Sequence, residues 1–125
     1  MSVDESELTA TIIGAAIEVH RHVRAGSFEA VYHHCLAWEL EQRSLRIRKQ
    51  VAVPLVYKGV RFDLAYRVDL LVEERVVVEV KSIERVLPVH ESQIVTYLTL
   101  LGVRTGLLLN FNVPLMRDGV RRFVV

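Results

Sequence analysis

The chain predicts an α/β fold in which a mixed central sheet is flanked by helices. Three observations carry this. Apolar residues recur at helical spacing through the first third, the middle is β-branched and broken by turn signals, and a further helical stretch precedes a short, almost wholly apolar strand. At 125 residues the chain has the length of one domain, and no repeat, linker or low-complexity segment interrupts it. One domain spanning residues 1–125 is therefore expected. Hydrophobic residues make up 51% and charged residues 25%, which is enough apolar surface for a packed core and excludes a disordered chain.

Each element has its own signal. From about Glu5 to Val23, the residues Leu8, Ile12, Ala15, Ala16, Val19 and Val23 fall at helix spacing. Gly26 is placed to stop this helix and Ser27 to cap the next. That second helix, Ser27 to about Arg43, gathers Phe28, Val31, Tyr32, Cys35, Leu36 and Leu40 on one side. Val51, Val53, Leu55 and Tyr57 read as a strand, Lys58-Gly59 as a turn, and Val60 to Leu64 resumes the strand pattern. Another strand covers about Tyr66 to Val72, turns at Glu73-Glu74 and returns through Arg75 to Lys81. These four segments are read as three consecutive antiparallel strands. Pro88 opens a third helix, with Ile94, Val95, Leu98 and Leu101 on its buried face and Gly102 at its end. Thr105 to Phe111 is apolar enough to be buried on both faces, and a hairpin strand, Val120 to Val125, follows a turn at Asp118-Gly119. The order is ααβββαβ with a terminal β.

Composition narrows the function classes. A net charge of +1 gives no global basic field, so any nucleic-acid affinity rests on local patches. The single cysteine, Cys35, cannot form an internal disulfide, which fits a reducing, cytoplasmic setting. The opening MSVDESEL is acidic and polar where a signal peptide opens basic, so no leader is expected. No apolar run approaches the roughly 20 residues that span a bilayer, so no membrane partner is expected either.

The chemistry centres on Asp69 and on Glu79-Val80-Lys81. Glu79 and Lys81 are two residues apart in a strand and project from one face. The turn near Glu73-Glu74 folds Asp69 back beside Glu79; a three-residue loop sets the two opposite, and a two-residue loop shifts the pairing by one. Two carboxylates and the carbonyl of Val80 form an oxygen donor set suited to Mg²⁺ or Mn²⁺. Such an ion neutralises a scissile phosphate and acidifies a water. Lys81 can orient that water or stabilise charge growing on phosphorus. The alternative is a Glu–Lys pair on a solvated hairpin face. Against it, the charges interrupt an apolar strand (Val76, Val77, Val78, Val80) that its neighbours place centrally, where unpaired charge is costly.

Two helices add candidates. Glu29 and Tyr32 share a face at i, i+3, and Gln93 and Tyr97 share one at i, i+4. For each tyrosine the alternative is a half-buried core aromatic, and for Glu29 a first-turn acid complementing the helix dipole.

Gly26-Ser27-Phe28-Glu29-Ala30-Val31-Tyr32 matches a Gly-x-x-Glu-x-x-Tyr signature. Through it the chain resembles the bacterial GxxExxY protein family of the PD-(D/E)XK nuclease superfamily. The similarity continues through Tyr66-Arg67-Val68-Asp69, Val78-Glu79-Val80-Lys81, Leu87-Pro88-Val89-His90-Glu91 and Asn110-Phe111-Asn112-Val113-Pro114. It runs from about Ile12 to Val124. The resemblance implies a restriction-endonuclease-like αβββαβ core, with Asp69, Glu79 and Lys81 as signature residues and Glu29 as a helix-borne acid near the metal. Gln93-Ile94-Val95-Thr96-Tyr97 is similar to the Gln-x-x-x-Tyr helix of the exonuclease-like branch in recombination and repair. One departure stands out: the approach to the signature, often glycine-rich, reads Arg24-Ala25-Gly26.

Other residues have plainer readings. His20, His22, His33, His34 and His90 show no zinc spacing; His20 approaches the metal or is a surface or core histidine, and His33-His34 reads as solvated. Cys35 reads as core, and Trp38 as helix packing with base stacking as the alternative. Arg43, Arg46, Arg48 and Lys49 cluster at a helix–strand junction, as phosphate contacts or as solvated surface. Arg67, two residues before Asp69, shares its face by spacing and contacts phosphate or steadies the carboxylates. The expectation is a Mg²⁺-dependent (or Mn²⁺-dependent) nuclease acting on DNA rather than RNA, with a homodimer left open. The rivals are a non-cleaving nucleic-acid-binding module and a protein-interaction domain on the same fold.

Overall fold

The computed structural model describes residues 4–125; Met1–Val3, the start of the acidic opening segment, lie outside the described residues. Two helices come first, α1 (Glu5–Val23) and α2 (Glu29–Gln42). Strands β1 (Ile47–Tyr57), β2 (Val60–Val72) and β3 (Val76–Lys81) follow, then α3 (Pro88–Leu101), β4 (Thr105–Asn110), a 3₁₀ turn (Met116–Gly119) and β5 (Val120–Val124). The strands form one sheet in the order β1-β2-β3-β4-β5. All neighbours are antiparallel except β3 and β4, which are parallel and joined through α3. Among the described residues, no helix is long and apolar enough to cross a membrane.

The helices sandwich the sheet. Leu8, Ile12, Ala16, Tyr32, Leu36 and Leu40 pack on Leu70, Val78, Val80, Leu107 and Phe111 on one side. Ile94 and Leu98 of α3 pack on Val53, Val68, Leu71, Val77 and Leu108 on the other. Strands β3 and β4 are buried on both faces, which explains their near-continuous apolar runs.

Several boundaries differ from expectation. Ser27 does not cap α2: the N-cap is Phe28, without a side-chain bond, and the Ser27 backbone N–H and carbonyl bond Tyr32 and Ser82. Phe28 is 79% exposed, and Val31 and Val95 are also exposed, so these positions leave the apolar faces on which spacing put them. Strand β1 starts four residues before Val51, where polar Arg48, Lys49 and Gln50 hid it. Val60–Val72 is continuous rather than two segments. The β2–β3 loop contains three residues between the paired Val72 and Val76. Glu73 and Glu74 sit there at φ 54° and 55°, a region that costs non-glycine residues about 1–2 kcal/mol each. Arg46 and Arg48 hold it: the Arg46 N–H donates to Glu73, and Arg48 forks onto Glu74 at 2.7 and 2.9 Å. With Arg43 paired to Glu39, the basic cluster is thus largely paired with acids and fixes the register that sets the site.

Candidate active site

The sheet changes character at Asp69. The β2–β3 ladder runs Val72↔Val76, Leu71↔Val77, Leu70↔Val78, and the same register places Asp69 against Glu79. At that step side chains take over from the backbone ladder. The Asp69 N–H donates to Glu79 Oε1 at 3.1 Å, and the Val80 N–H donates to Asp69 Oδ2 at 2.7 Å. On the far edge, β1 pairs Lys49↔Leu70 and Val51↔Val68, with Gln50 between them at φ 51°. The β1–β2 ribbon turns over here. Leu70 and Val72 face α1 and α2, whereas Val68, of the same parity, faces α3. The Asp69 carbonyl is turned out of the sheet and accepts from His33 Nε2 of α2 at 3.0 Å, which puts the ring proton on Nε2. His33 is buried, against the expectation that it is solvated; only its neighbour His34 is exposed. Its spacing from Leu36 and Leu40 on α2 is the sequence signal that was available.

Glu79 is 6% exposed and Lys81 half-buried, on the α3 side with Val77. Burial, reinforced by the charge of Asp69, pushes the Glu79 carboxyl up to about 8; the hydrogen bond from the Asp69 backbone and the Lys81 charge oppose this without cancelling it. Burial and the neighbouring Asp69 thus both favour the protonated Glu79 carboxyl, and a cation would relieve the same repulsion. The donor set fits a hard divalent ion. Within a strand, N–H and C=O of one residue point to the same edge, so the Val80 carbonyl faces the gap beside Asp69. Asp69, Glu79 and the Val80 carbonyl are the oxygens that would hold such an ion, and oxygen donors are what Mg²⁺ favours.

Glu29 takes another position. Its Oε2 accepts from the Ser82 N–H at 3.4 Å, one residue beyond Lys81, and it is otherwise exposed. Among the described residues no three acidic, histidine or cysteine side chains cluster closely enough to hold an ion. Glu29 therefore flanks the mouth, and in this arrangement its carboxylate binds the backbone rather than joining Asp69 and Glu79.

The Gly26–Tyr32 segment has a physical explanation. Gly26 adopts φ 97°, Tyr32 Oη donates to the Arg24 carbonyl and accepts from the Ser27 N–H at 3.0 Å, and its ring stacks on Phe111 at 4.5 Å. Ser82 Oγ donates to the Ser27 carbonyl at 2.7 Å. The α1–α2 loop is thereby locked to the end of β3. From the other side, buried Asn110 accepts from the Ile83 N–H at 3.1 Å and donates to the Ile83 carbonyl at 3.0 Å. Ser82 and Asn110 were not singled out as site residues; a lone amide ending an apolar strand was the available signal for Asn110.

From α3, Tyr97 is half-buried, edge-to-face on Tyr66 at 5.8 Å, and burial together with the charges of Glu79 and Asp69 pushes its phenol up. It overlooks the cleft. Gln93, one turn earlier, is exposed. Two plainer readings change, and two histidines gain partners. Arg67 is exposed and alternates with Val68 across the turned ribbon, so it does not share the face of Asp69. Trp38 is 58% exposed instead of packed between helices. His20 Nε2 donates to the Val113 carbonyl at 2.8 Å, on the α1 side. His90 Nδ1 accepts from the Leu87 N–H at 2.9 Å and so caps α3.

No curated protein and no solved structure matches the chain. The family model of the PD-(D/E)XK nuclease superfamily matches residues 6–123, which includes every residue of the cleft. With its opened β2–β3 hairpin, paired carboxylates and neighbouring lysine, the chain belongs to the PD-(D/E)XK nuclease superfamily.

Proposed function

We propose that the chain is a divalent-metal-dependent nuclease that hydrolyses phosphodiester bonds, with DNA preferred to RNA. The observation that carries the reading is the pair Asp69–Glu79, each carboxylate hydrogen-bonded to the other strand's backbone where the ladder opens, with Lys81 one pleat away. Asp69, Glu79 and the Val80 carbonyl would hold Mg²⁺ or Mn²⁺. Such an ion, when bound, neutralises the scissile phosphate and acidifies a water. The Lys81 ammonium then orients the attacking water and stabilises charge building on the phosphate oxygens. Tyr97 and, from the rim, Gln93 contact the strand being cut. Glu29 holds the Ser82 backbone, and hence the direction of Lys81, from α2.

The test is cleavage of single- and double-stranded DNA and of RNA, with and without Mg²⁺, by wild type and by Asp69→Asn. Metal-dependent cleavage lost in Asp69→Asn, with the fold unchanged, supports the reading. Metal binding with no cleavage of any substrate leaves the non-cleaving nucleic-acid-binding module. No metal binding, together with a large loss of melting temperature in Asp69→Asn, leaves a structural charge pair.

A further inference from the structure

Beside the α1–α2 loop lies an open cavity of ≈ 340 Å³ lined by His20, Arg21, Arg24, Ala25, Val113 and Pro114. It has two arginines and no acid in its wall. Arg21 is shared with Glu18 at 3.6 Å, whereas the Arg24 guanidinium is exposed and makes no ion pair among the described residues. His20 donates from Nε2 to Val113, so its Nδ1 is the ring atom left over. The loop also reaches the candidate active site: three residues past Arg24, Ser27 is bonded to Ser82, the neighbour of Lys81.

The backbone makes Arg24 unusual. It adopts φ 65°, ψ 177°, a combination essentially confined to glycine because a Cβ is crowded there. The conformation is over-determined: the Arg24 N–H donates to the His20 carbonyl at 2.8 Å, and the Arg24 carbonyl accepts from Tyr32 Oη. Glycine would satisfy both bonds without strain, so what arginine adds at this position is its exposed side chain. A guanidinium over an acid-free cavity matches a phosphate, which it can grip with two N–H groups at once.

We infer that Arg24 and this cavity form a subsite for a backbone phosphate of the bound nucleic-acid strand. The inference rests on the nuclease reading and names how that site holds its substrate. Each protein–phosphate contact on duplex DNA contributes about 0.9 to the slope of log affinity against log salt, so losing one weakens binding about eightfold near 0.1 M salt.

The experiment measures binding of a labelled DNA duplex by anisotropy across a KCl series in EDTA, for wild type, Arg24→Gly and Arg24→Lys. Cleavage of the same duplex by wild type in Mg²⁺ is followed in parallel. Arg24→Gly should melt at a higher temperature than wild type yet bind about eightfold more weakly, with a slope shallower by about 0.9. Arg24→Lys should recover most of the slope. Wild-type affinity and slope in Arg24→Gly overturn the subsite even if the wild type cleaves, and so does a wild type that does not bind. A lower melting temperature for Arg24→Gly overturns the conformational argument. A wild type that binds through Arg24 but never cleaves retains the subsite and discards the nuclease reading instead.

Discussion

Replacing Glu79 by glutamine separates the electrostatics of the paired carboxylates from their packing. The Glu79 carboxyl is pushed up to about 8 from its ordinary 4.5, mainly by burial and then by Asp69. A raised carboxyl holds its proton more tightly in the folded than in the unfolded chain. Without metal, stability therefore falls as pH rises from about 4.5 to about 8, by up to about 1.4 kcal/mol per pH unit. Over that window the ceiling is about 5 kcal/mol. An amide reproduces the protonated carboxyl: its oxygen accepts the Asp69 N–H and its NH₂ donates to the Asp69 carboxylate. In EDTA, Glu79→Gln should match wild type near pH 5 and exceed it near pH 9 by on the order of 3–5 kcal/mol. Urea denaturation across that pH range measures this directly. Adding Mg²⁺ should stabilise wild type increasingly with pH, since protons and metal compete for the same oxygens, and should stabilise the variant little. A variant that tracks wild type through the whole range, or falls below it at pH 9, refutes the argument.

Three other outcomes are expected. Lys81→Ala should lower the cleavage rate by about a hundredfold or more while Mg²⁺ affinity, read by calorimetry, changes little, because the amine acts on water and phosphate rather than on the ion. Tyr32→Phe removes the hydroxyl that bridges the Arg24 carbonyl and the Ser27 N–H, and should cost about 1–3 kcal/mol in denaturant titration while keeping the stack on Phe111. Gly119→Ala should be the most damaging small change. A Cβ there would lie 1.9 Å from the Asn110 carbonyl oxygen, so the end of β4 must move, costing about 3 kcal/mol or more and loosening the Asn110 clamp on Ile83.

Much of this protein is legible along the chain because local patterns report local physics. Helical spacing located α1 and, in α3, the buried Ile94 and Leu98 though not the exposed Val95, and the apolar runs of β3 and β4 announced strands covered on both faces. The two-residue step between Glu79 and Lys81 was enough to put both on one face, and superfamily membership followed from motifs read in place. Other features depend on groups distant in sequence. Spacing allowed two registers for Asp69, and the three-residue loop braced by Arg46 and Arg48 selects one of them. Period-two alternation put Arg67 on the face of Asp69, and failed because the β1–β2 ribbon turns over at Gln50 and Asp69, a rotation visible only when both strands are paired. His33 read as solvated because its partner, the Asp69 carbonyl, lies 36 residues away. Sequence alone thus determined which residues are the candidates for the chemistry and which elements bear them, since residue type and period are local properties. Only the tertiary structure decided how the carboxylates meet, because hydrogen bonds between distant strands and helices turn the Asp69 peptide out of the ladder and toward Glu79.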